Sequence, residues 1–216
     1  RLSLVGSEMC IRDRGGTAAL MVNDTIVYPY CYKTFEVLDN GPLRFTVKLT
    51  YNPLIVNGDS VVETRLISLD AGSQLNKTVV TYDNLKETTP VVAGIVLHDP
   101  ESSAQYKVSA EKGYVTYADP TDNPNNNNGT IFVGAILPTA KDAKAVYFEE
   151  KEKNDLRGGA DGHVLAIADY TPGSELVYYW GAGWSKYGFD TIEDWNAYID
   201  EEASLKSEPL TVSIIK

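Results

Sequence analysis

Between residues 43 and 51, Leu43, Phe45, Val47, Leu49 and Tyr51 alternate with Arg44, Thr46, Lys48 and Thr50. A period of two sends successive side chains to opposite faces, so this stretch satisfies both its apolar and its polar residues only as a half-buried β-strand. Gly41-Pro42 supplies the turn that opens it. The pattern recurs along the chain and predicts strands over 60–70, 74–82, 105–109, 113–118, 130–137, 143–148, 162–169 and 174–180. Asn57-Gly58-Asp59 reads as a hairpin turn. Val91 to Leu97 is apolar at both parities, which fits a central strand covered on both faces. One segment departs from this period. Over about 191–206, Ile192, Trp195 and Ile199 recur at helical spacing. Asp190 or Thr191 is placed to cap its start, with Glu193 or Asp194 three positions on. Pro209 ends this helix, and Leu210 to Ile215 reads as a closing strand. The fold class expected is all-β: a large antiparallel β-sandwich with one C-terminal helix.

The first fourteen residues do not belong to this pattern. Glu8 to Asp13 back-translates to a string that looks like a transposon mosaic-end sequencing adaptor, and Leu4-Val5-Gly6-Ser7 matches the rest in the same frame. Residues 1–14 are therefore expected to be adaptor-derived and are set aside from fold reasoning. Residues 15–216 are expected to form the C-terminal part of a single domain whose N-terminal half, with any signal peptide, is missing. The set-aside stretch carries Arg1, Arg12 and Arg14 against Glu8 and Asp13. The remainder is thus one unit more acidic than the −11 of the whole chain.

Such an acidic surface is a poor match for nucleic acid, whose phosphates demand Lys and Arg, and for an anionic membrane surface. No apolar run approaches the ~20 residues of a membrane span. Cys10 lies in the adaptor stretch, so Cys31 stands alone; it is expected to be a small buried side chain. No phosphate loop, dinucleotide fingerprint or Gly-x-Ser-x-Gly elbow is present. The two histidines lack metal-ligand spacing, so no metal and no cofactor are expected. Asp119 to Gly129, with four asparagines in a row, and 149–162 read as polar loops.

The phrase Glu36 to Arg44, ending Gly41-Pro42-Leu43-Arg44, followed by a long alternating strand, resembles the galactose-mutarotase-like supersandwich domains of carbohydrate-active proteins. So does Glu63 to Ser73 with its continuation to Tyr82. Four segments resemble, more narrowly, the bacterial family 4861 of domains of unknown function: Val37 to Arg44, Gly94 to His98, Gly159 to His163, and Tyr178 to Trp184. Members of that family occur mainly in polysaccharide-degrading bacteria, beside hydrolases of unsaturated glucuronyl or rhamnogalacturonyl sugars. The resemblance implies a periplasmic or secreted carbohydrate-active protein with an oligosaccharide or polysaccharide as partner. It transfers no catalytic residue and leaves the oligomeric state open.

Several residues have chemistry suited to a sugar, each with a structural alternative. Trp180, Trp184 and Tyr187, spaced by Gly181, Gly183 and Gly188, fit a stacking platform that glycine lets a sugar approach closely; the alternative is core packing. Lys186 between them would pair with a uronate carboxylate, or simply be solvated. His163, beside Asp161 and Arg157, has the residue types for acid–base work on an acidic sugar, although Asp-Gly-His is also a plain turn. His98 reads as a strand-end histidine bonded to a turn carboxylate. Glu63 and Arg65 lie two apart and share a strand face. They are either a general base with a carboxylate clamp, or a surface cross-strand salt bridge. Arg44 has the same ambiguity. Tyr28, Tyr30 and Tyr32 share a face by alternation and read as strand packing.

Two functions follow. One is a hydrolase or lyase acting on pectin-type or uronic-acid-containing oligosaccharides, with His163 and Glu63 catalytic and Trp180, Trp184, Lys186, Tyr187, Arg65 and Arg157 binding substrate. The other is a non-catalytic module that binds glycan or braces a neighbouring domain. They separate on one observable. Convergence of Glu63, Arg65, His98 and His163 in a cleft beside the tryptophans favours the enzyme, and dispersal favours the module.

Overall fold

The alternating segments become fourteen strands in a computed structural model of the chain, which describes residues 17–29, 31–98, 105–120, 127–149 and 160–208. In chain order the strands are β1 (Thr17–Val22), β2 (Thr25–Val27), β3 (Tyr32–Asn40), β4 (Arg44–Tyr51), β5 (Leu54–Val56), β6 (Asp59–Asp70) and β7 (Leu75–Asp83). There follow β8 (Thr89–Leu97), β9 (Tyr106–Ser109), β10 (Tyr114–Pro120), β11 (Thr130–Ile136), β12 (Asp142–Tyr147), β13 (Gly162–Tyr170) and β14 (Leu176–Trp184). One long helix, α1 (Ile192–Ser207), comes after β14. The expected closing strand over 210–215 lies outside the described residues, as does most of the loop at 149–162.

The strands form two antiparallel sheets. The smaller runs β12-β13-β8-β1-β2, and the larger runs β3-β4-β6-β7-β14-β11-β10-β9 with β5 paired to the start of β6. The Asn57-Gly58 turn between β5 and β6 has φ of 50° and 88°, the left-handed pair that a two-residue hairpin requires. The sheets face each other across one core. Ala18, Leu20, Val91, Ala93, Ile95, Val164 and Ala166 of the small sheet meet Val61, Val80, Tyr82, Val115, Tyr117, Leu176 and Tyr178 of the large one. The expected all-β sandwich is the observed fold. β8 is the central strand of the small sheet, and Val91 to Leu97 is buried throughout, as its unbroken apolar run predicted.

The helix lies on the other face of the large sheet. Trp195, Ile199 and Ala203 pack on Leu75, Tyr114, Phe132 and Ile136. Thr191 caps it. Its hydroxyl accepts from the Asp194 amide at 3.2 Å and the Asp194 carboxylate accepts from the Thr191 amide at 3.1 Å, a reciprocal box. Among the described residues, no helix is long and apolar enough to cross a membrane.

Three expectations are corrected. The strand placed at 174–180 continues to Trp184, so the aromatic block is mostly strand rather than loop. Cys31 is exposed. It sits between β2 and β3, where its carbonyl accepts from the Asn52 side chain at 2.9 Å and its thiol has no core to enter. Tyr28 and Tyr32 do not share one strand: β2 stops at Val27, and Tyr32 begins β3 in the other sheet.

Candidate functional site

Along β14 the side chains alternate between two very different surroundings. Tyr179 faces the helix with the outer cluster, whereas Tyr178 and Trp180 face the inter-sheet core. Trp180, Ala182 and Trp184 therefore form one row on the inner face, paired across to Ala135, Val133 and Ile131 of β11. Trp180 and Trp184 stand roughly 13 Å apart along the strand. Ala182 between them is exposed, so the small sheet does not reach this end. The Trp180 indole N–H donates to Thr78 Oγ1 at 2.9 Å, and that of Trp184 to the Asn128 carbonyl at 2.8 Å. Trp184 is 46 % exposed despite this anchor, and Tyr187 in the following turn is 79 % exposed. Lys186 reaches Asn127 Oδ1 at 3.0 Å from the same turn.

The glycines serve the opposite face. A Cβ on Gly183 would come within 2.8 Å of Phe189 and 3.0 Å of the Trp195 ring, and one on Gly181 within 2.0 Å of the Gln74 carbonyl oxygen. They admit the helix and a neighbouring strand, not a sugar as the sequence suggested. Gly188, at φ 87°, shapes the turn.

Glu63 and Arg65 share a face, as expected, but that face looks into the sandwich. Both are buried, and Arg65 Nε donates to Glu63 Oε1. The Arg65 guanidinium also donates to Thr17 Oγ1 and, at 2.8 Å, to the Ala18 carbonyl, and it lies 4.8 Å from the Tyr51 ring centroid. This is neither a surface salt bridge nor an open clamp. It is an internal tie between β6 and β1, closed to substrate. Burial pushes the Glu63 carboxyl above its ordinary range, against the attraction of Arg65. Arg44, by contrast, is the exposed cross-strand pair: Nε and Nη2 reach the two oxygens of Asp70 at 2.5 and 2.9 Å.

His163 belongs to the other sheet and to its outer surface. Val164, Ala166 and Ala168 of β13 enter the core, so His163, Leu165 and Ile167 point away from it. There His163 is 2 % exposed. Its Nε2 lies 3.4 Å from the Tyr28 hydroxyl, and Phe148 meets its ring edge-on at 4.9 Å. These groups line a cavity of about 340 Å³ with Lys144, Asp24 and Thr25 also on its wall. His98, just past β8, sits with Nδ1 3.5 Å from Asp119 of β10, and the turn that follows it, where a carboxylate partner was expected, lies outside the described residues. Arg157 lies outside the described residues. Among the described residues no group of three His, Cys, Asp or Glu side chains gathers as for a metal ion.

The nominated residues within the described part are thus dispersed: Trp180 and Trp184 on the inner-face row with Lys186 and Tyr187 in the turn after it, Glu63 and Arg65 in the sealed core, His163 in the outer cavity and His98 beside Asp119. A family model described as a domain of unknown function, DUF4861, matches residues 14–212. The chain belongs to this family. The chain is also similar to the uncharacterized protein P7 of Formosa agariphila, 24 % identical over 200 residues. The match covers 92 % of this chain and 47 % of that protein, so the chain spans about half the length of the curated relative it matches.

Within this DUF4861 chain, sequence reasoning missed Tyr28 and Lys144 as neighbours of His163. Alternation alone placed Lys144 on a face of its strand. Its proximity to His163 comes from the β12–β13 register, which sets Lys144 opposite Leu165 and Val146 opposite His163. The Asn23-Asp24 turn, with φ of 51° and 58°, was the one local signal that could have revealed the β1–β2 hairpin beside them.

Proposed function

We propose that this protein is a glycan-binding module for pectin-type, uronic-acid-containing chains, with the Trp180–Ala182–Trp184 row as its sugar platform. The observation that carries the reading is Trp184: its indole is half exposed while its N–H is fixed by the Asn128 carbonyl. A ring held in place before binding loses little freedom when a sugar stacks on it. Trp180 and Trp184 flank an open Ala182, a spacing that a chain of several units spans and a single ring does not. Lys186 beside the row offers a cation for a uronate. The hydrolase or lyase reading needs proton donors and acceptors in one cleft, and His163 and Glu63 occupy different faces of different sheets.

Retention on immobilised pectic oligosaccharides tests the reading. Trp184→Ala is expected to abolish retention with the far-ultraviolet circular dichroism unchanged; full retention by the folded variant refutes the platform.

A bracing role has its own support. On the same inner face, Phe35, Val37, Phe45 and Leu69 of β3, β4 and β6 are exposed, an apolar strip where the small sheet ends. In a longer protein carrying this unit, amides of β3 and β4 would exchange more slowly than in the isolated chain. Equal exchange removes the bracing role.

A further inference from the structure

We infer that the cavity on the outer face of the small sheet is a second binding site, separate from the tryptophan row, and that it takes a single sugar acid. Its volume of about 340 Å³ lies at the small end of ligand pockets and holds one ring, not a chain. The floor is β13, where His163 is almost wholly buried yet lines the space. A buried imidazole held by Tyr28 and Phe148 is a positioned polar group, not a solvated one.

The walls differ in charge from one side to the other. On one side Lys144 projects from β12 diagonal to His163 on the same face, within reach of a common partner. A lysine cation beside an imidazole and a phenol hydroxyl suits a carboxylate. On the other side Asp24 and Thr25 stand on the turn and first residue of the β1–β2 hairpin. A carboxylate there repels a second anionic group and accepts hydrogen bonds from hydroxyls. Phe148 and Leu165 offer apolar surface to the C–H face of a ring. A ligand with one carboxylate at one end, hydroxyls at the other and an apolar face between satisfies all three sides.

The test is a titration of the intact chain with galacturonate, galactose and benzoate, read by NMR at the His163 ring and by calorimetry. Galacturonate is expected to bind at least tenfold more tightly than galactose, with the His163 resonances shifting. Lys144 is exposed, so Lys144→Ala leaves the fold in place and is expected to remove that preference. Lys144→Ala is also expected to leave retention on immobilised pectic oligosaccharides unchanged, which separates this site from the platform. The proposal is overturned by no galacturonate binding, by equal affinity for galactose, by benzoate binding as tightly, or by a preference that survives Lys144→Ala.

Discussion

Arg65 donates to Glu63 from two positions along the same strand, inside the closed space between the sheets. The pair is not self-sufficient. Arg65 spends its remaining donors on Thr17 and Ala18 of β1, while Glu63 Oε2 has no hydrogen-bond partner among the described residues. The guanidinium therefore ties the edge of the small-sheet core to the large sheet, and it keeps a buried carboxylate from standing alone.

That arrangement sets the cost of breaking it. Arg65→Met leaves Glu63 buried without its cation and is expected to lose about 3–5 kcal/mol in urea unfolding. Replacing both, as Glu63→Leu with Arg65→Met, is expected to recover most of this, because a buried pair exchanged for apolar groups is often neutral. The pH dependence has a defined sign. Burial raises the folded Glu63 carboxyl above its unfolded value, so its contribution is most favourable below the ordinary glutamate range of about 4.3 and declines as pH rises through the folded value. Removing Arg65 enlarges that rise, so the single variant is expected to be weaker relative to wild type at neutral than at acid pH. A pH-independent difference would refute the assignment.

The close packing of β14 and of the helix rests on missing side chains. A Cβ at Gly181 would meet the Gln74 backbone oxygen beside β7, which cannot rotate away, and Gly181→Ala is expected to cost about 1–3 kcal/mol. Trp195, fully buried against Phe189 at a ring distance of 4.8 Å, is expected to cost about 3–5 kcal/mol as Trp195→Ala. Denaturant midpoints check both, and a neutral Gly181→Ala would contradict the close approach.

Asp200 fastens α1 to the strand edge. Its carboxylate accepts from Lys112 and, at 2.9 Å, from the Tyr114 hydroxyl. The Lys112 hydrogen bond, with help from Tyr114, holds the Asp200 carboxyl below the ordinary range against a modest burial effect. A depressed folded value means that stability is present above the unfolded value of about 3.9 and lost as pH falls through the folded one. Asp200→Asn is expected to flatten the acid limb of the stability profile below about pH 4 while leaving its shape at neutral pH unchanged. An acid limb identical to wild type would show that the pair carries no linkage.

The strands were legible because alternation is a local property. Leu43 to Tyr51 declares its two faces wherever it is placed, and Val91 to Leu97 declares that it has no polar face at all. Thr191 and Asp194 likewise announce a helix start within four residues. The aromatic block was misread past Trp180 because Gly181 and Gly183 look like breakers in one dimension. They continue the strand because Gly181 lies tight against the Gln74 backbone and Gly183 against Trp195 of a helix that begins some ten residues later. Cys31 was misread because a small apolar side chain carries no label for exposure.

Sequence alone determined most of the strands, the helix, the sandwich class and the side chains able to meet a sugar, since period and residue chemistry are written along the chain. Tertiary structure decided where those side chains went. Glu63 and Arg65 have the pattern of an exposed pair, and β1 closes over them. His163 has a turn signature, and the β12–β13 register with the β1–β2 hairpin gives it Lys144 and Tyr28. Trp180 and Trp184 become one row because β14 runs on beyond the reach of the small sheet. Each of these outcomes depends on which sheet covers which face, a relation between residues far apart in the chain that no local period records.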